Sequence, residues 1–186
     1  MAGILDAVGG AKKRNDVFVL IWLMNKGCFQ PYCLLADAKT LDRAAYNPNE
    51  ETPLFKGSKH FLGTVVTKTK EFEDAGTPVR TISLVFSDGG DNASGRVRSG
   101  DVASIVSDML RRENHLIFGF GVEDGVTDFK QVFSEMGIPD EFIMVSSGDS
   151  KEVRRRFNLF SQSAKTASQN AASFSKVAMG GFGNNP

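Results

Sequence analysis

Residues 80–92, RTISLVFSDGGDN, constrain the fold more than any other stretch of this chain. Ile82, Leu84, Val85 and Phe86 make residues 81–86 largely apolar. A strand buried on both faces reads as such a near-continuous run rather than as an alternation. The run stops at Ser87-Asp88-Gly89-Gly90-Asp91-Asn92. Two glycines permit a tight turn there, and the acids add hard oxygen ligands. An acidic, glycine-rich loop at the carboxyl end of a parallel strand is where open α/β sheets place their sites.

The rest of the chain alternates around that stretch. Residues 1–15 read as a helix, with Ile4, Leu5 and Val8 at helical spacing and Lys12, Lys13 and Arg14 in a basic last turn. Residues 16–25, DVFVLIWLMN, are the strongest strand signal, and residues 25–27 make a turn. Residues 28–36 form a second strand interrupted by Pro31, so it belongs at a sheet edge and pairs with the first as a hairpin. Residues 37–51 are a polar loop. Thr52 is then the expected N-cap and Pro53 the first helical residue of a helix running to about Asp74. Its inward face carries Phe61, Leu62, Val65, Val66, Thr69 and Phe72. After the central strand and a Gly/Ser/Arg loop at 93–100 come a helix at 101–114 and a buried strand at 115–122. A short helix at 127–136, closed by Gly137, a strand at 141–146 and a helix at 150–163 complete the order. This order predicts an α/β fold with a mainly parallel sheet, helices on both faces and an antiparallel edge hairpin. It occupies residues 1–163, followed by a Ser/Ala/Gly-rich tail at 164–186.

Bulk composition narrows the function classes. Lys+Arg and Asp+Glu are both 22 in 186 residues, which argues against a protein that binds nucleic acid through its phosphates. The longest apolar run, residues 17–24, is well short of the roughly 18 residues of a membrane span, and no signal peptide is evident, so the cytoplasm is the expected compartment. Fifteen phenylalanines are expected to pack the core. Cys28 and Cys33 have no histidine or further cysteine nearby, so zinc is disfavoured and two buried free thiols are expected.

Taken in order, the hairpin strands, "ETPLF", "LVFSDGGDN", "HLIFGFGVED", "FKQVFSEMG" and "EFIMVSS" resemble a von Willebrand factor type A domain of the bacterial stand-alone kind. The resemblance implies a Rossmann-like three-layer α/β/α fold with a metal-ion-dependent adhesion site on its upper edge. Oxygen ligands from three loops hold a divalent ion there, usually Mg²⁺: an Asp-x-Ser-x-Ser motif, a threonine and an aspartate. Thr52 matches the threonine and Asp88 the aspartate. The Asp-x-Ser-x-Ser motif is absent, because the chain begins within the helix that should follow it. A missing strand would lie between residues 17–25 and 80–86, and these strands are expected to pair directly or to make an intermolecular contact, as in a homo-oligomer.

Each candidate has a plain structural reading beside the functional one. Thr52 can simply cap a helix, and Asp88, Asp91 and Asn92 can simply turn the chain. Thr52 and Asp88, with Asp91 as a helper, are the metal candidates. His60 and His115 lack partners for a catalytic triad, and no Gly-x-Ser-x-Gly elbow exists. Gly119, Gly121 and Gly125 lack dinucleotide-fingerprint spacing. Lys151 and Arg154-Arg155-Arg156 read as a solvated helix face. The expected function is a non-enzymatic protein-interaction domain with an incomplete metal site and an unidentified protein partner. One alternative keeps weak Mg²⁺ binding through Thr52 and Asp88 to hold an acidic ligand. The other, a metal-dependent or nucleotide-handling enzyme, lacks a set of converging ionisable groups.

Overall fold

The computed structural model describes residues 17–41 and 50–169. Two antiparallel strands come first, β1 (Phe18–Leu23) and β2 (Gly27–Leu34), in register from Phe18 opposite Leu34 to Leu23 opposite Gly27. The ladder is irregular around Ile21, across from the stretch that holds Pro31. That is where a residue without an N–H is tolerated. Helix α1 (Leu54–Asp74) follows. Gly76, at φ +78°, ends it: Thr77 N–H reaches back to the Phe72 carbonyl at 2.8 Å. Next come β3 (Thr81–Ser87), α2 (Ser99–Arg111), β4 (His115–Val122), α3 (Phe129–Glu135), β5 (Ile143–Ser146) and α4 (Ser150–Gln169). Strands β3, β4 and β5 form a parallel sheet in that order, so each connection is a helical crossover.

The middle strand explains the layering. All but the last residue of β4 are buried, and alternate side chains leave opposite faces of a strand. Phe118 meets Phe142 and Phe160 at ring-centroid distances of 5.1 and 5.2 Å, and Phe120 meets Phe157 of α4 at 4.9 Å. On the other face Gly119 and Gly121 carry no side chain, and α3 fills that space. A Cβ at Gly119 would stand 2.7 Å from the Phe133 ring, and one at Gly121 only 2.2 Å from the Phe129 ring. The Gly-Phe-Gly run therefore has a packing cause. Helices α1, α2 and α3 share this face; α2 meets the end of α3 at Gly137, whose missing side chain admits Ala103. The sheet is thus covered by helices on both sides. Leu54, Leu62, Val65, Val85, Val102, Val106, Met109 and Ile117 continue one core through it.

The hairpin lies along α1. Its turn meets the helix at Gly57, where a Cβ would stand 3.0 Å from the Met24 backbone, and Phe18 meets Phe72 at 5.6 Å. It does not join the parallel sheet: β1–β2 and β3–β4–β5 are separate sheets, and direct pairing of β1 with β3 is not found among the described residues. The expected single sheet with an edge hairpin is corrected accordingly. Among the described residues β3 lies at the edge of its sheet rather than at its centre, and its burial alternates. Ser83, Val85 and Ser87 are buried, while Ile82, Leu84 and Phe86 are half-buried.

Smaller corrections have local causes. Helix α2 starts at Ser99, earlier than residue 101, because the Asp101 carboxylate accepts the Arg98 N–H at 2.9 Å and closes the first turn from inside it. Helix α4 continues past Ser163 to Gln169, with Ala164 in the core. Cys28 is exposed and Cys33 half-buried, so the expected pair of buried thiols is not found, although both are free. Arg154 and Arg155 are exposed, and Arg156 pairs with Glu152 at 3.6 Å. His60 is exposed. The expected helix at 1–15 and the tail from 170 lie outside the described residues. No helix of the described residues is long and apolar enough to cross a membrane.

His115 is 2% exposed, with Nδ1 2.6 Å from the Thr81 hydroxyl and Nε2 buried without a hydrogen-bond partner among the described residues. Burial, and then the Arg112 charge, push its pKa below the ordinary histidine value, with Glu73 opposing them. The unfolded chain therefore binds the proton more readily. The stability that neutral His115 supports is complete above about pH 6.5 and is lost as the pH falls below it. Urea unfolding should show a lower unfolding free energy at pH 5 than at pH 7.5, and a smaller difference in His115→Asn. An equal slope in the variant would contradict this assignment. Gly121→Ala should cost about 1–3 kcal/mol through overpacking against Phe129. Gly63→Ala, on an open helical surface with nothing within 4 Å of the new methyl, should gain about 0.5–1 kcal/mol. Thermal melts of the two variants should therefore move in opposite directions.

Candidate functional site

The loop after β3 and the start of α1 are tied together by four hydrogen bonds. Thr52 N–H donates to Asn92 Oδ1 at 2.7 Å, and Asn92 N–H returns to the Thr52 carbonyl at 3.1 Å. Phe55 N–H donates to Asp91 Oδ1 at 3.2 Å, and Lys56 N–H to Ser94 Oγ at 2.9 Å. The Ser94 hydroxyl in turn donates to Asp91. The first amides of any helix lack partners within it. Here a loop distant in sequence supplies them, and its carboxylate suits the positive end of the helix dipole.

This arrangement corrects two sequence expectations. Thr52 is not the N-cap, and Pro53 is not the first helical residue. Pro53 occupies the cap position and no side chain of its own caps the helix. A local cap is unnecessary once Asp91 and Ser94 satisfy Phe55 and Lys56. Asp91, expected as a helper ligand, instead has Oδ1 committed to the Phe55 amide and the Ser94 hydroxyl.

The loop stays tight against its neighbours. The Ser87 hydroxyl donates to the Gly89 carbonyl at 2.7 Å and closes the turn. The Thr52 hydroxyl is 3.8 Å from where a Gly89 Cβ would stand. Thr52 and the Asp88 loop therefore share one edge of the molecule, at the carboxyl end of β3, and Asp88 is exposed there. On the other side, a Cβ at Gly90 would stand 2.9 Å from the Thr127 hydroxyl.

Thr127 belongs to a second braced turn, after β4. Asp124 accepts from the Thr127 hydroxyl at 2.6 Å and from the Thr127 and Val126 amides at 2.7 and 2.9 Å. The Thr127 hydroxyl first, and then these amides, hold the Asp124 pKa at about 2. Gly125, at φ +79°, lets the turn form. Its tip presents Val126, 93% exposed. The edge loops 50–53, 87–95, 123–128 and 147–149 contain acids and neither Lys nor Arg. The residues sequence reasoning missed are Ser94, Asp124 and Thr127. Only the Asp-Gly-Val-Thr turn of residues 124–127 gave a signal for any of them.

The set of oxygen donors here is thin for a resident metal. Mg²⁺ takes about six oxygens in near-octahedral geometry. The structure brings the Thr52 hydroxyl beside the Asp88 loop, and Asp91 is already engaged. Among the described residues, no three His, Cys, Asp or Glu side chains are grouped as a metal site. The residues present do not fit a tightly held ion.

Comparison of the chain with protein-family models, with curated proteins and with solved structures finds no match in any of the three.

Asp91→Ala removes one partner of the α1 amides and one of Ser94. It should cost about 1–2 kcal/mol in urea unfolding, in the range of lost helix caps. Asp88→Ala, on the same loop but exposed, should cost less than Asp91→Ala. Equal losses in the two variants would contradict the division of roles between these acids.

Proposed function

We propose that this chain is a non-enzymatic protein-interaction domain of the von Willebrand factor type A kind, and that it meets its partner with the edge built from Thr52, the Asp88 loop and the Val126 turn. The single observation that carries this reading is the mutual bracing of that edge. Asn92, Asp91 and Ser94 hold the loop to α1, and Gly90 lies close against Thr127. A surface fixed before binding loses little entropy when a partner docks. The order of strands and crossover helices supports this reading, and so does the closeness of Thr52 to the Asp88 loop. With Asp91 Oδ1 engaged by the Phe55 amide and the Ser94 hydroxyl, the proposed edge works without a resident ion. Recognition then rests on exposed carboxylates around the apolar Val126.

Two measurements test this reading. Proximity labelling in the host with wild type and Asp88→Arg should give a set of proteins recovered by the first and lost by the second, while circular dichroism shows both folded. Identical sets would refute the edge as the docking face. Calorimetry with Mg²⁺ and Mn²⁺ should give no binding heat in wild type or in Asp88→Ala. Heat in wild type that Asp88→Ala abolishes would favour the second reading, a weak ion held through Thr52 and Asp88 for an acidic ligand.

A further inference from the structure

A groove of about 640 Å³ runs over α1. A stripe of the helix, including exposed His60 and half-buried Gly63 and Thr64, is its floor; Trp22 and Tyr32 of the hairpin are one wall, and Ile105 of α2 is the other. Gly63 keeps the floor low, with nothing within 4 Å of a would-be Cβ. Thr64 and Thr67 donate their hydroxyl hydrogens to the helix, to the carbonyls of His60 and Gly63 at 2.9 and 3.0 Å.

The donors in the groove are Trp22 Nε1, the Tyr32 phenol and two lysines, set against the carboxylates of Glu71 and Asp101. Trp22 Nε1 is buried in the wall with no hydrogen-bond partner among the described residues. A buried N–H without an acceptor is uncommon and calls for an explanation. Burial pushes the Tyr32 phenol up to about 12, so it remains a neutral donor. Lys59 and Lys68 stand toward opposite ends, paired with Asp101 at 3.2 Å and Glu71 at 2.7 Å. These lysine side chains are 39% and 36% exposed, so each pair contributes only about 0–1 kcal/mol and exchanges readily for another carboxylate. Glu71 is the one acid in the lining.

We propose that this groove binds an extended acidic peptide. From Lys59 to Lys68 the helix rises about 14 Å, the span of about four extended residues. Carboxylates near the peptide's ends replace Asp101 and Glu71 on the two lysines. A backbone carbonyl between them accepts from Trp22, with a small turn of the ring, and an apolar side chain lies over Gly63 against Ile105. The site is independent of the edge proposed above, and either can fail without the other.

Trp22 is the sole tryptophan, so its emission reports the groove directly. The probe is a blocked hexapeptide, Glu-Glu-Pro-Leu-Glu-Glu, with its all-lysine counterpart (Lys for each Glu) as control. Wild type should show a saturable change in emission with the acidic peptide and none with the control. Binding should weaken about tenfold or more in Lys59→Glu/Lys68→Glu, since like charges then face each other. It should also be lost in Gly63→Leu, whose Cβ meets nothing within 4 Å and whose side chain fills the floor, and persist in Asp88→Arg. No saturable change in wild type, an equal response to the lysine peptide, or unchanged binding in both groove variants would overturn the proposal.

Discussion

The first turn of an α-helix carries amide hydrogens that its own backbone cannot satisfy. In this chain the start of α1 is satisfied from elsewhere, by Asp91 and Ser94 in the loop after β3. That substitution governs the edge. Because the helix start and the strand end share hydrogen bonds, neither can move alone, and Thr52 is held against the Asp88 loop. Pro53 fits the same logic. It has no N–H, so it leaves nothing unpaired at the cap position.

The second constraint is the exchange of volume across β4. Gly119 and Gly121 empty one face of the strand, and Phe133 and Phe129 fill it. Phe118 and Phe120 fill the other face with α4 behind them. Protein interiors are close-packed, so such a pairing of missing and oversized side chains fixes how α3 sits on the sheet. The carboxyl ends of β3 and β4 are thereby set side by side, and the Gly90–Thr127 contact between their loops follows.

Much of this was legible in the sequence, for physical reasons. Runs such as residues 115–122 and the helical spacing of Leu62, Val65 and Thr69 announce buried elements because burial has a period. The Gly-Phe-Gly run could be excluded as a dinucleotide fingerprint, but its purpose could not be read, since Phe129 and Phe133 meet it only after the chain folds back. Thr52 looked like a cap because Thr-Pro before a helix satisfies local rules. The cap that forms draws on residues about forty positions away, which no local pattern encodes. Asp91 illustrates the same limit: a loop acid has the same letter whether it awaits an ion or holds an amide. The separation of the hairpin from the parallel sheet was also beyond local reading, because strand propensity does not name a strand's neighbour.

The account rests on the α1 amides being bonded across the chain, and amide hydrogen exchange tests this most directly. Thr52, Phe55 and Lys56 would exchange quickly if the helix start were open to water, as unbonded first-turn amides do. The account predicts slow exchange at all three in wild type, with loss of protection at Phe55 in Asp91→Ala and at Thr52 in Asn92→Ala. Fast exchange at these positions in wild type, or protection unchanged in both variants, would contradict it.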